Sequence, residues 1–469
     1  MDATNSTDKL SKALTACMAV SLLALCGCRG LMDGTTTPTP PVGELKAINH
    51  IVFLVQENRS FDTYFGQLPA YWQANGYPQT ADGLPATASN PTFDGSGSVP
   101  AYHLATECFE NLTPSWDESH LDWNRNAPTS ATATMDGYVY NAAKFAMDSG
   151  FTDTAGIRAM GYYDATDLPY YYYLASNFAT SDRWFSPVMD RTQLNRMYLF
   201  AATSQGYAYP PGTNAADNAP LTAPTIFEAL TKAGISWNVY TADTDCGAND
   251  TPFPCTYLTQ FAVYAPPNAL PANVVPATQF LTDAQNGTLP AVSLIEGGYN
   301  SGRDEHPDNN VQVGAAFAAT LINGLMNSPS WKDSVFILTY DEAGGLYDHV
   351  PPQPAVSPDG IAPIDLQPGD ICTTGTGSNC DFNITGFRIP MIVISPFTKK
   401  NYVSHTVADF TAILKLIESR FGLPALTKRD AAQMDMTEFF DFQNVPWATP
   451  PNKIPAQPTS GTCNFQTLQ

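Results

Sequence analysis

The sequence predicts an α/β domain built on a mostly parallel sheet, and three observations carry that reading. First, short apolar runs recur: "HIVFLV" (50–55), "AVSLI" (291–295), "SVFILTY" (334–340) and "PMIVIS" (390–395). Runs of this length, rich in Val and Ile and not alternating, read as strands buried on both faces. Second, helical periodicity lies between and beyond them. In "APTIFEALTKAGI" (223–235), Ile226, Phe227 and Leu230 share a face and Gly234 marks the end. In "VADFTAILKLIESRFGLP" (407–424), Val407, Phe410, Ile413, Leu414, Ile417 and Phe421 form one face before Gly422 and Pro424. Third, strands alternating with helices imply crossover units and hence parallel pairing. The stretches 66–100 and 350–386 are rich in turn-forming residues and read as long loops.

The chain has 469 residues, of which 43% are hydrophobic, enough for a sizeable core, and only 14% charged. The formal charge of −22 repels nucleic acid and anionic membranes, so no nucleic-acid partner is expected. An anionic substrate then needs a local positive charge, from a metal or from clustered Arg and His. At the N-terminus, Lys9 and Lys12 precede "ALTACMAVSLLALCGC", the pattern of an export signal. Its "LCGC" ending resembles a lipobox, with Cys28 as the residue that would carry a lipid anchor. Residues 1–28 are therefore expected as signal, 29–45 as a flexible Pro/Thr tether, and 46–469 as a single catalytic domain in an exported protein, whether periplasmic, outer-membrane or secreted. Beyond residue 28, six cysteines remain. In an oxidising compartment they imply disulfides. The short spacings favour Cys246–Cys255 and Cys372–Cys380, leaving Cys108–Cys463.

Polar groups crowd behind the strands, where parallel sheets bind ligands. The first strand runs into Glu57 and Asn58, and the third into Asp341 and Glu342, with Asp348 and His349 further on. The second is followed by Glu296 and then by Asp304, Glu305 and His306, and the fourth by His405. A lone acidic residue after a strand is usually a cap or a turn former. Two adjacent carboxylates repel each other unless a cation binds. Glu57, Asn58, Asp341 and Glu342 make an all-oxygen donor set suited to one hard divalent cation, Mg²⁺, Ca²⁺ or Mn²⁺ in preference to Zn²⁺. Loop histidines, His120 among them, are candidates to contact a phosphate or protonate a leaving group.

Four motifs then resemble a known family: "QENRSFDTYFG", "MGYYDATDLPYYYYLASNFATSDRWF", "TYDEAGGLYDHVPP" and "RIPMIVISPF". In order, and over about 45–425, they are similar to the bacterial phosphoesterases (phospholipase C and secreted acid phosphatase) of the alkaline phosphatase superfamily. The resemblance implies an alkaline-phosphatase-like three-layer sandwich. It implies metal ligands at Glu57, Asn58, Asp341 and Glu342, and a hydroxyl nucleophile at Thr192 in "DRTQLNR". It places catalytic histidines at His120, His306 and His349. Asn195 and Arg196 are candidate substrate contacts, and Arg191 and Arg196 candidate anion contacts, with surface salt bridging the competing reading for each arginine. Asp190-Arg191 stands where the family commonly has Gly-Pro or Gly-Gly, and Pro114 where it often has His. Both departures bear on substrate preference.

The leading expectation is an exported metal-dependent phosphoesterase of the compact acid-phosphatase type, because the chain is shorter than family members with added β domains. The alternative is a phospholipase C acting on phospholipid head groups. A further alternative is a non-catalytic surface binding protein, since fold alone does not establish function. The Thr192 hydroxyl is expected within reach of Asp341 and Glu342. The tyrosines at 170–173 are expected to pack a helix against the sheet.

Overall fold

In the computed structural model the described residues are 44–211, 218–246, 255–375 and 377–469. The signal, the lipobox and all of the tether but its last two residues, Glu44 and Leu45, fall outside them. Leu45–Gln469 forms one compact unit.

Eight strands build the central sheet. In chain order they are β1 (His50–Gln56), β2 (Ala179–Ser181), β3 (Trp237–Thr241), β4 (Val274–Pro276), β5 (Val292–Glu296), β6 (Ser334–Tyr340), β7 (Met391–Ile394) and β8 (Tyr402–Ser404). Their spatial order is β8-β2-β7-β6-β1-β5-β3-β4. Strand β1 lies at the centre, parallel to β5 on one side and β6 on the other. Only β7 runs antiparallel, between β6 and β2. Ile51 to Val55 are all 0% exposed. Successive strand side chains point to opposite faces, so both faces of the sheet are covered, which gives three layers.

The helices that bear on the site are α1 (Phe61–Phe65), α2 (Trp116–Trp123), α3 (Pro169–Asn177), α4 (Thr192–Ala201), α5 (Ile226–Lys232), α6 (Val311–Met326) and α7 (Ala412–Phe421). Helix α4 packs against both α5 and α7, and α3 packs on α6. Tyr170, Tyr171 and Tyr172 on α3 are buried, as expected. Among the described residues no helix is long and apolar enough to cross a membrane.

The four apolar runs are strands, in nearly their predicted bounds. Four strands were not anticipated. Among them, β2 and β8 are only three residues long, too short for a periodicity. The helix expected from 407 begins only at Ala412. Ala408–Asp409 instead pairs with Trp184–Phe185, and Asp409 accepts hydrogen bonds from Thr411 and Arg429, which leaves Val407 exposed. The stretch 66–100 is not all loop, since it holds a helix at Leu68–Asn75 and a hairpin of Ser89–Pro91 with Ser98–Pro100. The three disulfides join Cys108 to Cys463, Cys246 to Cys255 and Cys372 to Cys380, as the spacing predicted.

Candidate active site

Strand β1 delivers Glu57 and Asn58 to the carboxyl edge of the sheet, and two neighbouring loops pin them there. The Glu57 N–H donates to Asp304 O (2.8 Å), and the Asn58 N–H donates to Asp341 Oδ1 (3.0 Å). Asn58 sits in the left-handed region at φ 60°. Gly344 crosses it so closely that a Cβ there would lie 2.6 Å from Asn58 O. Glycine therefore lets the Asp341–Glu342 loop close over the Glu57–Asn58 loop.

Thr192 opens helix α4 and meets this pair. Its hydroxyl donates to Glu57 Oε2 (3.0 Å) and lies 3.2 Å from Asn58 Oδ1. The N-cap is Arg191, so the Thr192 hydroxyl does not cap the helix backbone. Its contacts are to Glu57 and Asn58, not to the Asp341 and Glu342 carboxylates.

Arg196, one turn along α4, points into the sheet and not toward a substrate. It is fully buried and donates to Glu57 Oε1 (2.7 Å) and Val55 O (3.0 Å), with its Nε 3.6 Å from Asp341 Oδ2. Asn195 likewise differs from the expected substrate contact. Its amide donates to Asp190 O (2.7 Å) and accepts from the Val188 N–H (3.1 Å), tying the loop before Thr192. All its polar atoms are thereby engaged. Tyr257, which no sequence signal marked, donates to Glu57 Oε1 (3.0 Å).

Glu57 and Asp341 thus share one buried guanidinium, with Glu342 next to Asp341. Burial and the neighbouring Glu57 push the Asp341 carboxyl well up, and burial and Asp341 do the same to Glu342. Asp341 Oδ2 and Glu342 Oε1 have no hydrogen-bond partner. Buried, unsatisfied oxygens on adjacent carboxyl groups fit a hard divalent cation. The trios whose donor atoms already lie within 4.8 Å of one another are elsewhere: Asp62, Asp348 and His349, and His103, Asp164 and Asp167. In the first, Arg388 already supplies the cation, bonding Asp62 Oδ1 (2.8 Å) and Asp348 Oδ1 (3.0 Å).

The three histidines divide. His306 Nδ1 lies 2.7 Å from Asp304 Oδ2, and its Nε2 lies 3.9 Å from Glu57 Oε2. It therefore faces the same carboxylate oxygen as Thr192. His349 is held between Asp62 (Nδ1, 2.7 Å) and Asp82 (Nε2, 3.1 Å). Burial alone would lower its pKa, but the Asp62 hydrogen bond and the charges of Asp62 and Asp348 together outweigh it and the net shift is upward. His120 on α2 is fully buried, its nitrogens against Trp116 O (2.7 Å) and Asn379 O (3.2 Å), and burial lowers its pKa. With both nitrogens facing backbone carbonyls, His120 presents no free nitrogen to a phosphate in this structure. A cavity of about 410 Å³ opens beside Glu57, Gln193 and Tyr257.

A mostly parallel sheet covered on both faces, with a hydroxyl, carboxylates and a histidine gathered beyond its carboxyl ends, makes this a three-layer α/β protein with a candidate active site at the sheet edge. The family can be stated too. The phosphoesterase family model matches residues 48–424, and the chain belongs to that family, whose members hydrolyse phosphoric esters. It is 32% identical to phospholipase C B of Mycobacterium tuberculosis, over 96% of this chain and 86% of that protein. It is 31% identical to non-specific phospholipase C5 of Arabidopsis thaliana, over 82% and 72% respectively. A solved structure of a protein in the alkaline phosphatase superfamily from Vibrio parahaemolyticus is similar at TM-score 0.37 and 12% identity, over 82% of this chain and 70% of that one. Both of these relatives carry the phospholipase C name.

Proposed function

We propose that the chain is an exported, metal-dependent phosphoesterase of the phospholipase C type, with Thr192 as nucleophile. The observation that carries this is the convergence of the Thr192 hydroxyl on Glu57 (3.0 Å) and Asn58 (3.2 Å), from segments 135 and 134 residues apart. The relatives' names support the phosphodiester substrate.

Glu57, Asn58, Asp341 and Glu342 are the residues that would hold a divalent cation, which when bound neutralises charge and makes a nearby hydroxyl more acidic. The Thr192 hydroxyl gives its proton to Glu57 Oε2, its hydrogen-bond acceptor, as its oxygen attacks phosphorus; an Oγ–P bond forms, the bond from phosphorus to the leaving alcohol oxygen breaks, and the Glu57 proton returns to the Thr192 oxygen when water later cleaves the Oγ–P bond. The leaving oxygen takes a proton from His306 Nε2, whose Nδ1 is fixed on Asp304. Water then attacks the phosphothreonine, releasing the phosphorylated head group and restoring the hydroxyl. Arg191, half-buried just before Thr192, supplies positive charge for the non-bridging oxygens.

The test uses residues 46–469 with p-nitrophenyl phosphorylcholine and p-nitrophenyl phosphate in parallel. Turnover of the diester above the monoester is expected, with none in Thr192→Val and measurable rate in Thr192→Ser. Preference for the monoester would return the reading to the acid-phosphatase type. A near wild-type rate in Thr192→Val would overturn the nucleophile.

A further inference from the structure

Behind His306 lies a buried carboxylate that the reaction above does not use. Glu305 is 0% exposed and sits at φ 69°, a left-handed conformation unusual for a residue with a side chain. Its carboxylate accepts four hydrogen bonds. Oε1 takes Gln56 Nε2 (3.0 Å) and the Tyr171 hydroxyl (2.5 Å), and Oε2 takes the hydroxyls of Tyr64 (2.7 Å) and Tyr340 (2.7 Å). An ionised carboxylate is an acceptor with about four lone-pair sites, so donors and sites match. The donors come from the end of β1, α1, α3 and the end of β6. The backbone on either side is clasped as well. Arg59 Nε donates to Glu305 O (2.8 Å) and Arg59 Nη2 to His306 O (3.1 Å). Helix α6 presses close enough that a Cβ at Gly314 would lie 2.2 Å from Glu305 Cγ.

We infer that Glu305 is a positioning residue for His306: its tyrosine-held carboxylate fixes the Asp304–His306 turn so that the imidazole faces the oxygen of Glu57 that Thr192 also meets. The inference rests on the role given to His306 in the proposed function. A left-handed residue between two side chains that must point at one place is held only if its surroundings over-determine it. Four donors on one carboxylate and two on the adjoining carbonyls do so. Removing the carboxylate frees the turn, and the imidazole loses its alignment with the leaving oxygen while the substrate pocket is untouched.

The consequence is a kinetic coupling that a merely structural role would not produce. His306→Ala is expected to lower kcat by about 10²-fold or more, the usual contribution of a proton-transferring group. Glu305→Ala should lower kcat by ~10–100-fold with KM within about threefold, because the interaction is needed in the transition state and not for binding. The double variant should be no slower than His306→Ala alone, since a residue acting through another has no effect once that one is gone. Glu305→Gln keeps the volume and half the acceptor sites, and should recover part of the rate. If Glu305→Ala does not melt cooperatively, Tyr64→Phe with Tyr171→Phe removes half the donors without a cavity and should show the same non-additivity with His306→Ala. Additive losses, a change confined to KM, or wild-type kcat in Glu305→Ala would each overturn the inference. Full activity in His306→Ala with none in Thr192→Val would also overturn it and leave the phosphoesterase reading standing. An active Thr192→Val would instead overturn the nucleophile, with the Glu305–His306 coupling still measured by the cycle.

Discussion

Replacing Arg388 with Met probes the second polar cluster at the sheet edge. Arg388 is 0% exposed and bonds Asp348 (3.1 Å from Nε), Asp62 (2.8 Å from Nη2) and the Asp82 carbonyl (2.8 Å), with its guanidinium 4.2 Å from the Phe61 ring. Met fills much of the volume but leaves two buried carboxylates without a counter-charge. Breaking such a pair from one side costs about 3–5 kcal/mol. Unfolding entropy near 60 °C is about 2.1 cal/mol/K per residue, so the about 425 residues of the compact unit give roughly 0.9 kcal/mol/K. The expected fall in Tm is therefore about 3–6 °C at pH 8. The pH dependence has a definite sign. Burial, eased by Arg388 and reinforced by Asp62, already holds Asp348 up at about 6, and removing Arg388 raises it further. A carboxyl raised in the folded state keeps its stability below the unfolded pKa and loses it as pH rises through the folded one. The gap between wild type and Arg388→Met should then be smaller near pH 5 than at pH 8. Calorimetric melts at both values measure it. A gap under about 1 °C at pH 8 (roughly 1 kcal/mol on this scale), or one that narrows with rising pH, would refute the assignment of Arg388 as the resident cation of the Asp62, Asp348 and His349 trio.

Two further outcomes follow from the buried acids. Chelation with EDTA should abolish phosphodiester turnover and lower Tm, with Mg²⁺, Ca²⁺ or Mn²⁺ restoring both. Unchanged melting and activity after exhaustive chelation would count against Glu57, Asn58, Asp341 and Glu342 as a cation site. Glu418 on α7 is 3% exposed and neither carboxylate oxygen has a hydrogen-bond partner, and burial with Asp430 alongside pushes its pKa up to about 9. The folded state keeps a proton that the unfolded chain releases above the ordinary 4.5, so stability is lost progressively as pH rises from there toward 9, and Glu418→Gln should melt higher than wild type at pH 8 and alike near pH 5. Identical melting curves at pH 8 would count against it.

What the sequence determined by itself is whatever lies in one continuous stretch. The runs at 50–55 and 334–340 announce buried strands because both faces are covered and apolar side chains predominate, the buried hydroxyls of Ser334 and Thr339 being hydrogen-bonded to backbone carbonyls. Their polar endings, Glu57–Asn58 and Asp341–Glu342, announce a site because adjacent carboxylates behind a buried strand need a reason to be there. Thr192 was legible through the family motif, and the short cysteine spacings through loop length. Tertiary structure decided which polar groups are free. Arg196 and Asn195 sit about one helical turn past Thr192, and only the packing of α4 shows that one pairs with Glu57 and the other ties down its own loop. His120 and His306 look alike in sequence, yet one lies against two carbonyls in the core and the other is turned toward Glu57 by Asp304. The Glu305 cage draws donors from 56, 64, 171 and 340. Hydrophobic periodicity is a local signal, whereas a buried hydrogen bond is satisfied by whichever segment folding brings within about 3 Å, and no spacing along the chain encodes that.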